Sequence, residues 1–277
     1  MHNTTGAVTR KIPSWRTYLL LAGAAFRAQF QYRANFLLLV TGGVAYQCAG
    51  LALVWVVVEQ FGHFAGWTLA DIAFLYGLRL TAHALSTIPF SQLQRLDDVV
   101  RNGEFDRYLI RPAGLLTQVL TRQVNLQVVG DLAGGLGVLV SAVVAGNVAW
   151  TAAKVLYLTA ALASGALIEA SLQLAASALC FHFVYTQSFR LLIDSIFNTF
   201  GGYPMIIFPI VARFSLTFIL PLAFVAYLPA TVILGLPAGL PAGTWLAYAT
   251  PLLGPVLFTV AYRFWHSRAR HYSSTGQ

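Results

Sequence analysis

Ser91-Gln-Leu-Gln-Arg-Leu-Asp-Asp-Val-Val-Arg-Asn-Gly103-Glu-Phe-Asp-Arg-Tyr-Leu-Ile-Arg-Pro112 is an island of charge in an apolar chain. Eight of the 26 charged residues (17 basic plus 9 acidic) fall in it. It separates two apolar runs, Leu69 to Phe90 and Val124 to Ala145. Each has the ~20 residues that cross ~30 Å of hydrocarbon as a helix. Inside the island, Ser91 with Gln94 reads as a capping box and Gly103 as a helix stop. Leu93, Leu96 and Val100 form one apolar stripe, and Arg95, Asp98, Arg101 and Asn102 supply a wet side. The spacing predicts a short amphipathic helix, Gln92 to Asn102, lying on the cytosolic face of a membrane. That helix, with Glu104, Asp106 and Arg107, is expected to dock a partner.

Four more runs follow the same rule. The expected spans are Phe36 to Val58, Leu69 to Phe90, Val124 to Ala145, Ala153 to Phe181, about Met205 to Tyr227, and about Thr244 to Phe264. Thirteen of the 17 Lys and Arg residues lie in the segments on one side of these runs, and Arg263 borders one of those segments. Short loops rich in Lys and Arg stay cytoplasmic, so both ends are expected in the cytosol. Trp55, Trp67, Trp150 and Trp245 fall at outer ends, and Trp15 and Trp265 near the inner surface, where the amphipathic indole ring prefers the headgroup level. Composition agrees: 58% hydrophobic and 9% charged, against about 25% charged in soluble domains. The net charge of +8 is explained by anionic lipid and insertion rules rather than nucleic acid. Cys48 and Cys180 both lie in spans and read as small hydrophobes.

The fold class is therefore all-α integral membrane, with six transmembrane helices. Residues 1–35 form a cytosolic N-terminus in which Trp15, Leu19, Ala22, Phe26 and Phe30 recur at helical spacing opposite Arg16 and Arg27. Entered through Pro13, this reads as an interfacial amphipathic helix, and from its polar start no cleavable signal is expected. Residues 36–264 form the transmembrane domain, with the charged loop at 91–112, and residues 265–277 a cytosolic tail. Between spans 5 and 6, Leu228-Pro-Ala-Thr231 and Gly235-Leu-Pro-Ala-Gly-Leu-Pro-Ala-Gly243 break helix without becoming polar. A re-entrant outer hairpin over 228–243 is expected, since irregular backbone at membrane depth survives under protein cover. Pro229, Leu236, Pro237 and Pro241 are candidates for an outer gate, with Phe214, Phe218 and Phe224 available to line an apolar path.

The catalytic motifs are absent. There is no phosphate-binding Gly-rich loop, no His-Glu-x-x-His and no Cys-x-x-Cys. No metal, cofactor or enzymatic activity is expected in this chain. Of the six histidines only His83 falls clearly inside a span. Arg79, Asp131 and Glu169 enter the spans, with Asp71 near an outer end. A central charge costs about 2.5–3.5 kcal/mol on insertion scales, so each should face protein or water. Arg79 is expected to pair with Glu169 or Asp131, and these groups are candidates to line a substrate path.

Gly103-Glu-Phe-Asp-Arg-Tyr-Leu-Ile-Arg-Pro112 resembles the Gly-Glu-Leu-Asp-x-x-Leu-x-Arg-Pro signature of permease subunits in the type-2 ATP-binding-cassette exporter family. Gln31-Tyr-Arg-Ala-Asn-Phe36, Tyr203-Pro204 with Leu220-Pro-Leu-Ala-Phe-Val-Ala-Tyr-Leu-Pro229, and Arg270-His-Tyr-Ser-Ser274 resemble other stretches of that family, in the same order. The chain departs at Phe105, where Leu is commoner, and at the extra His271.

The resemblance implies a permease that works in a pair, with the same chain or a related one, beside two separate ATPase subunits. The loop helix would be the coupling helix, its Leu93, Leu96, Val100, Arg101, Glu104, Asp106 and Arg107 meeting the ATPase. Substrates would be lipophilic or amphipathic: drugs, lipids or natural products. The setting would be the cytoplasmic membrane of a bacterium. Two other readings compete. One is a stand-alone proton-coupled transporter using Asp131 or Glu169. The other is an intramembrane enzyme built on Glu169, His182 or Asp194.

Overall fold

Proline and small residues, more than hydropathy, decide where the helices of this chain begin, cross and break. The computed structural model describes Leu20, Gly23, Ala24 and residues 33–61, 66–111, 113–122, 125, 127–146, 148–183, 186–239 and 245–272. Most of the expected N-terminal helix, with Pro112, Pro241, Thr244 and residues 273–277, lies outside the described residues. Among the described residues the regular elements are helical.

Five long helices form the body: α1 (Arg33–Phe61), α2 (Leu69–Phe90), α6 (Gln127–Ala145), α7 (Ala152–Ala178) and α12 (Thr250–Ala269). Helix α6 packs between α1 and α2, α2 also meets α7, and α7 lies along α12. Thr68 and Asp71 start α2 as a reciprocal capping box, with the Asp71 side chain 2.9 Å from the Thr68 N–H. Asp71 is thus a cap, not a charge within the span, and the Thr-x-x-Asp spacing carried that signal.

Lipid tails are as apolar as leucine, so close packing and interhelical hydrogen bonds must hold such helices together. A Cβ on Gly77 would stand 2.6 Å from the Leu139 backbone nitrogen, so α2 and α6 touch through backbone. At the α7–α12 crossing the Ser164 hydroxyl donates to the Thr250 carbonyl (2.5 Å) and accepts from the Gly254 N–H (2.9 Å).

Gln127–Ala145 and Ala152–Phe181 are long and apolar enough to cross a membrane; Ile210–Ile219 and Leu222–Leu234 qualify only together and bend by 76°. The expected fifth span, Met205 to Tyr227, is therefore not one helix. It divides into a 3-10 turn (Met205–Ile207), α9 (Ile210–Phe214), a π turn (Ser215–Ile219), a second 3-10 turn (Leu222–Phe224) and the start of α10 (Tyr227–Leu234). Pro204, Pro209 and Pro221 flank these pieces, each removing a backbone donor. Before them comes α8 (Gln187–Phe200), assigned to no span by hydropathy, which buries Arg190, Ile193 and Phe197.

The bend at Leu220–Pro221 comes earlier than the hairpin expected over 228–243. Pro229 lies buried within α10, which Gly235 ends at a φ of +72°. Beyond it Leu236 is half-buried and Pro237 exposed. Two of the tryptophans are covered by the chain's own residues. Trp67 is buried and stacked on Tyr227 (5.7 Å), and Trp265 is buried against Phe181 (5.5 Å). Trp55 and Trp245 remain exposed.

Candidate functional site

Arg79 stands near the middle of α2, and His83 follows four residues later on the same helical face. Both meet Glu169 of α7. Arg79 Nη1 is 3.3 Å from Glu169 Oε1, and His83 Nδ1 is 2.7 Å from Oε2. Arg79 Nη2 donates to Asn198 Oδ1 of α8 (3.3 Å), and the guanidinium lies 5.7 Å from the Phe197 ring. Arg79 and Glu169 are 3% and 6% exposed, so each needs the other's charge. Of the two acids the sequence left open, Glu169 is the partner of Arg79. Asp131 of α6 instead accepts from the Gln47 side-chain amide of α1 (3.0 Å). The role of His83 was missed, although its i,i+4 spacing from Arg79 carried it.

These groups wall a cavity of about 240 Å³, lined by Tyr46, Gln47, Tyr76, Arg79, Asp131 and Asn198 among others. Tyr76 lines it with glycine close on two sides of its ring. A Cβ on Gly202 would come within 3.0 Å of the ring, and one on Gly50 would collide with the hydroxyl. His83 also borders a smaller cleft with Ser86, Thr87, Gln94 and Asp194, where Gln173 donates to Asp194. Polar side chains thus line a column from the cavity to the loop at Ser91. A separate apolar groove of about 510 Å³ lies between α7, α12 and the bent segment, and Phe218 and Phe224 line it. Phe214 is not among its lining residues and packs on Phe218 (4.9 Å).

The charged loop folds as a small unit beneath this column. Ser91 is not a helix start: α2 runs on through a 3-10 turn (Ser91–Arg95) into α3 (Leu96–Arg101), and the expected capping box does not form. Gly103 does stop the helix, at a φ of +69°. Helices α4 (Asp106–Leu109) and α5 (Leu115–Leu120) complete the unit. Leu93, Leu96 and Val100 are buried in one cluster with Phe105, Leu116, Leu174 and Trp265. The apolar stripe therefore faces the chain's own interior. Arg101 and Arg107 are exposed, Asp106 is half-buried, and Glu104 pairs with Arg122 (2.8 Å). Leu109 and Ile110 add exposed apolar surface at this edge.

Phe105 is the hub, with Tyr108, Phe181 and Tyr272 rings at 6.0, 5.1 and 4.9 Å. The 103–112 motif and the Arg270-His-Tyr motif of the tail thus meet directly. Burial, with the neighbouring Asp106 carboxylate, raises the Tyr272 hydroxyl pKa above the ordinary tyrosine value.

One buried ion pair fastens the unit to α8. Arg190 Nη1 donates to Asp97 Oδ1 (2.8 Å) and Nη2 to the Gln94 carbonyl (2.7 Å), while the Thr186 hydroxyl donates to the same Asp97 oxygen (2.7 Å). Sequence reasoning missed this pair because 93 residues separate its members.

Among the described residues no group of three His, Cys, Asp or Glu side chains is placed to hold a metal. No curated protein and no solved structure matches the chain. A family model described as "ABC-2 family transporter protein" matches residues 44–276. The match runs from within α1 to the C-terminal tail and takes in the central charges, the loop unit and α8, so the chain belongs to the ABC-2 transporter family and is a membrane permease of that type.

Proposed function

We propose that this chain is the membrane permease of an exporter driven by separate ATP-binding-cassette ATPase subunits. It carries a lipophilic or amphipathic substrate outward across a bacterial cytoplasmic membrane. In this reading α1, α2, α6, α7, α8 with the bent segment, and α12 make six crossings, with both ends in the cytosol. The working unit holds two permeases, and ATP hydrolysis resides on the partners, because this chain has no phosphate-binding loop.

One observation supports the reading most. The loop unit and the cavity are joined by a single helix. At one end of α8, Arg190 grips Asp97 and the Gln94 carbonyl of the loop. At the other, Asn198 and Phe197 hold Arg79 in the cavity wall. A push on the exposed edge at Arg101, Arg107 and Ile110 would reach the cavity through packed, hydrogen-bonded side chains. The buried stripe of Leu93, Leu96 and Val100 keeps the unit stiff, and the exposed edge does the docking.

The test is a pull-down. The tagged permease, expressed with an ATP-binding-cassette ATPase subunit from the same source, should retain that ATPase through purification. Arg107→Glu combined with Ile110→Asp should release it while leaving permease yield unchanged. Retention by the double variant would remove this edge from the interface.

A further inference from the structure

Arg79 and Asp131 both line the central cavity, and the first is already balanced. Arg79 is engaged by Glu169, Asn198 and the Phe197 ring. Glu169 is held between Arg79 and His83. Asp131 is different. Its one hydrogen-bond partner among the described residues is the neutral Gln47 amide, which orients the carboxylate without offsetting its charge. Asp131 is half-buried on the cavity wall, and the rings of Tyr46 and Tyr76 line the same space. Tyr76 is held by the glycine contacts described above, whereas Tyr46 is 69% exposed.

A carboxylate in a poorly solvated wall, with aromatic faces nearby, attracts an organic cation by charge and by the ring quadrupole. The cavity, about 240 Å³, is smaller than the ~300–1,000 Å³ of pockets that enclose drug-sized molecules. It suits a headgroup, with the remainder outside against apolar surface.

We propose that this cavity binds the protonated nitrogen of an amphipathic amine, with Asp131 as its counter-charge and Tyr46 and Tyr76 as its aromatic walls. The proposal rests on the permease reading and specifies the substrate class for its cavity. Gln47 is a positioning residue: its amide holds Asp131 Oδ1 and leaves the second carboxylate oxygen for the ligand.

The probe is dansylcadaverine, a primary amine on a fluorescent apolar body. Its N-acetyl derivative is the neutral control. Both are titrated against the full chain with its ATPase in nanodiscs. The amine should bind tighter than the acetylated control by about tenfold, and Asp131→Asn should abolish the difference. Tyr46→Ala, at an exposed position, should weaken the amine about twofold to fivefold and leave the control unchanged. It stands as the deciding variant if Asp131→Asn fails to insert. Equal binding of amine and control, or amine binding unaffected by these substitutions, overturns the proposal. ATP-driven uptake of the same probes separates the two readings. Asp131-dependent binding without ATP-driven uptake would keep the site and remove the permease reading. Uptake of amine and control alike would do the reverse.

Discussion

Arg190→Ala removes the cation from a pair whose side chains are 2% and 7% exposed. Asp97 would keep the Thr186 hydroxyl, and the Gln94 carbonyl would lose its donor. Taking one partner from a buried ion pair costs about 3–5 kcal/mol, because the remaining charge has neither water nor counter-ion. For a chain of this size each kcal/mol lowers the melting temperature by about 2–4 °C, giving a fall of roughly 6–20 °C. Arg190→Lys should fall between parent and alanine, since an ammonium cannot reproduce the two-pronged reach to Asp97 and Gln94. The decisive chain carries Arg190→Met with Asp97→Leu. Replacing a buried pair by apolar side chains of similar size is often close to neutral, so most of the loss should return. Tryptophan fluorescence on heating in detergent or nanodiscs reads all four. If the single variants melt with the parent, or the double melts no higher than the worse single, the pair does not fasten the loop as argued.

Three further outcomes are expected. Arg79→Gln should lower membrane yield severalfold by stranding Glu169; adding Glu169→Gln should restore part of it, and adding Asp131→Asn should not, because Asp131 is bonded to Gln47. Rescue by the Asp131 change instead would contradict the pairing. Leu96→Asp should fail to fold, since Leu96 has no exposed surface, whereas Arg107→Glu should express and melt like the parent; similar behaviour of the two would contradict the orientation of the loop unit. Gly77→Ala should lower the melting temperature by forcing apart α2 and α6, at a cost of about 1–3 kcal/mol. Gly137→Ala, where a Cβ meets nothing within 4 Å, should not, and equal melting of the two would place the α2–α6 contact elsewhere.

What could be read in the sequence was local or periodic. Apolar runs of the right length gave the positions of α2, α6 and α7, and Gly103 gave the end of the loop helix. The apolar stripe of the loop was legible too, but not the direction it faces. A stripe states that one side is dry, and either a partner or the chain itself can dry it. Here Leu174 and Trp265, both remote in sequence, belong to the cluster that does so. The fifth run reads as one helix because hydropathy over Met205 to Tyr227 is high, while Pro204, Pro209 and Pro221 divide the segment. Helix α8 was passed over for the opposite reason, since Arg190, Asp194 and Asn198 lower its apolar character. Those same residues join the loop to the cavity. For the central charges, the cost of a lone buried ion foretold pairing but not which acid would serve. Only the packing of α7 on α2 settles that, and it adds His83.

The central claim is that this permease works on ATP consumed by another subunit. The direct measurement is the ATP hydrolysis rate of the ATPase subunit that co-purifies with this chain, alone and after co-reconstitution with it in liposomes. The account predicts that the permease raises the rate, and that Arg107→Glu with Ile110→Asp removes the increase while the reconstituted amount stays the same. An ATPase rate indifferent to the intact permease would contradict it.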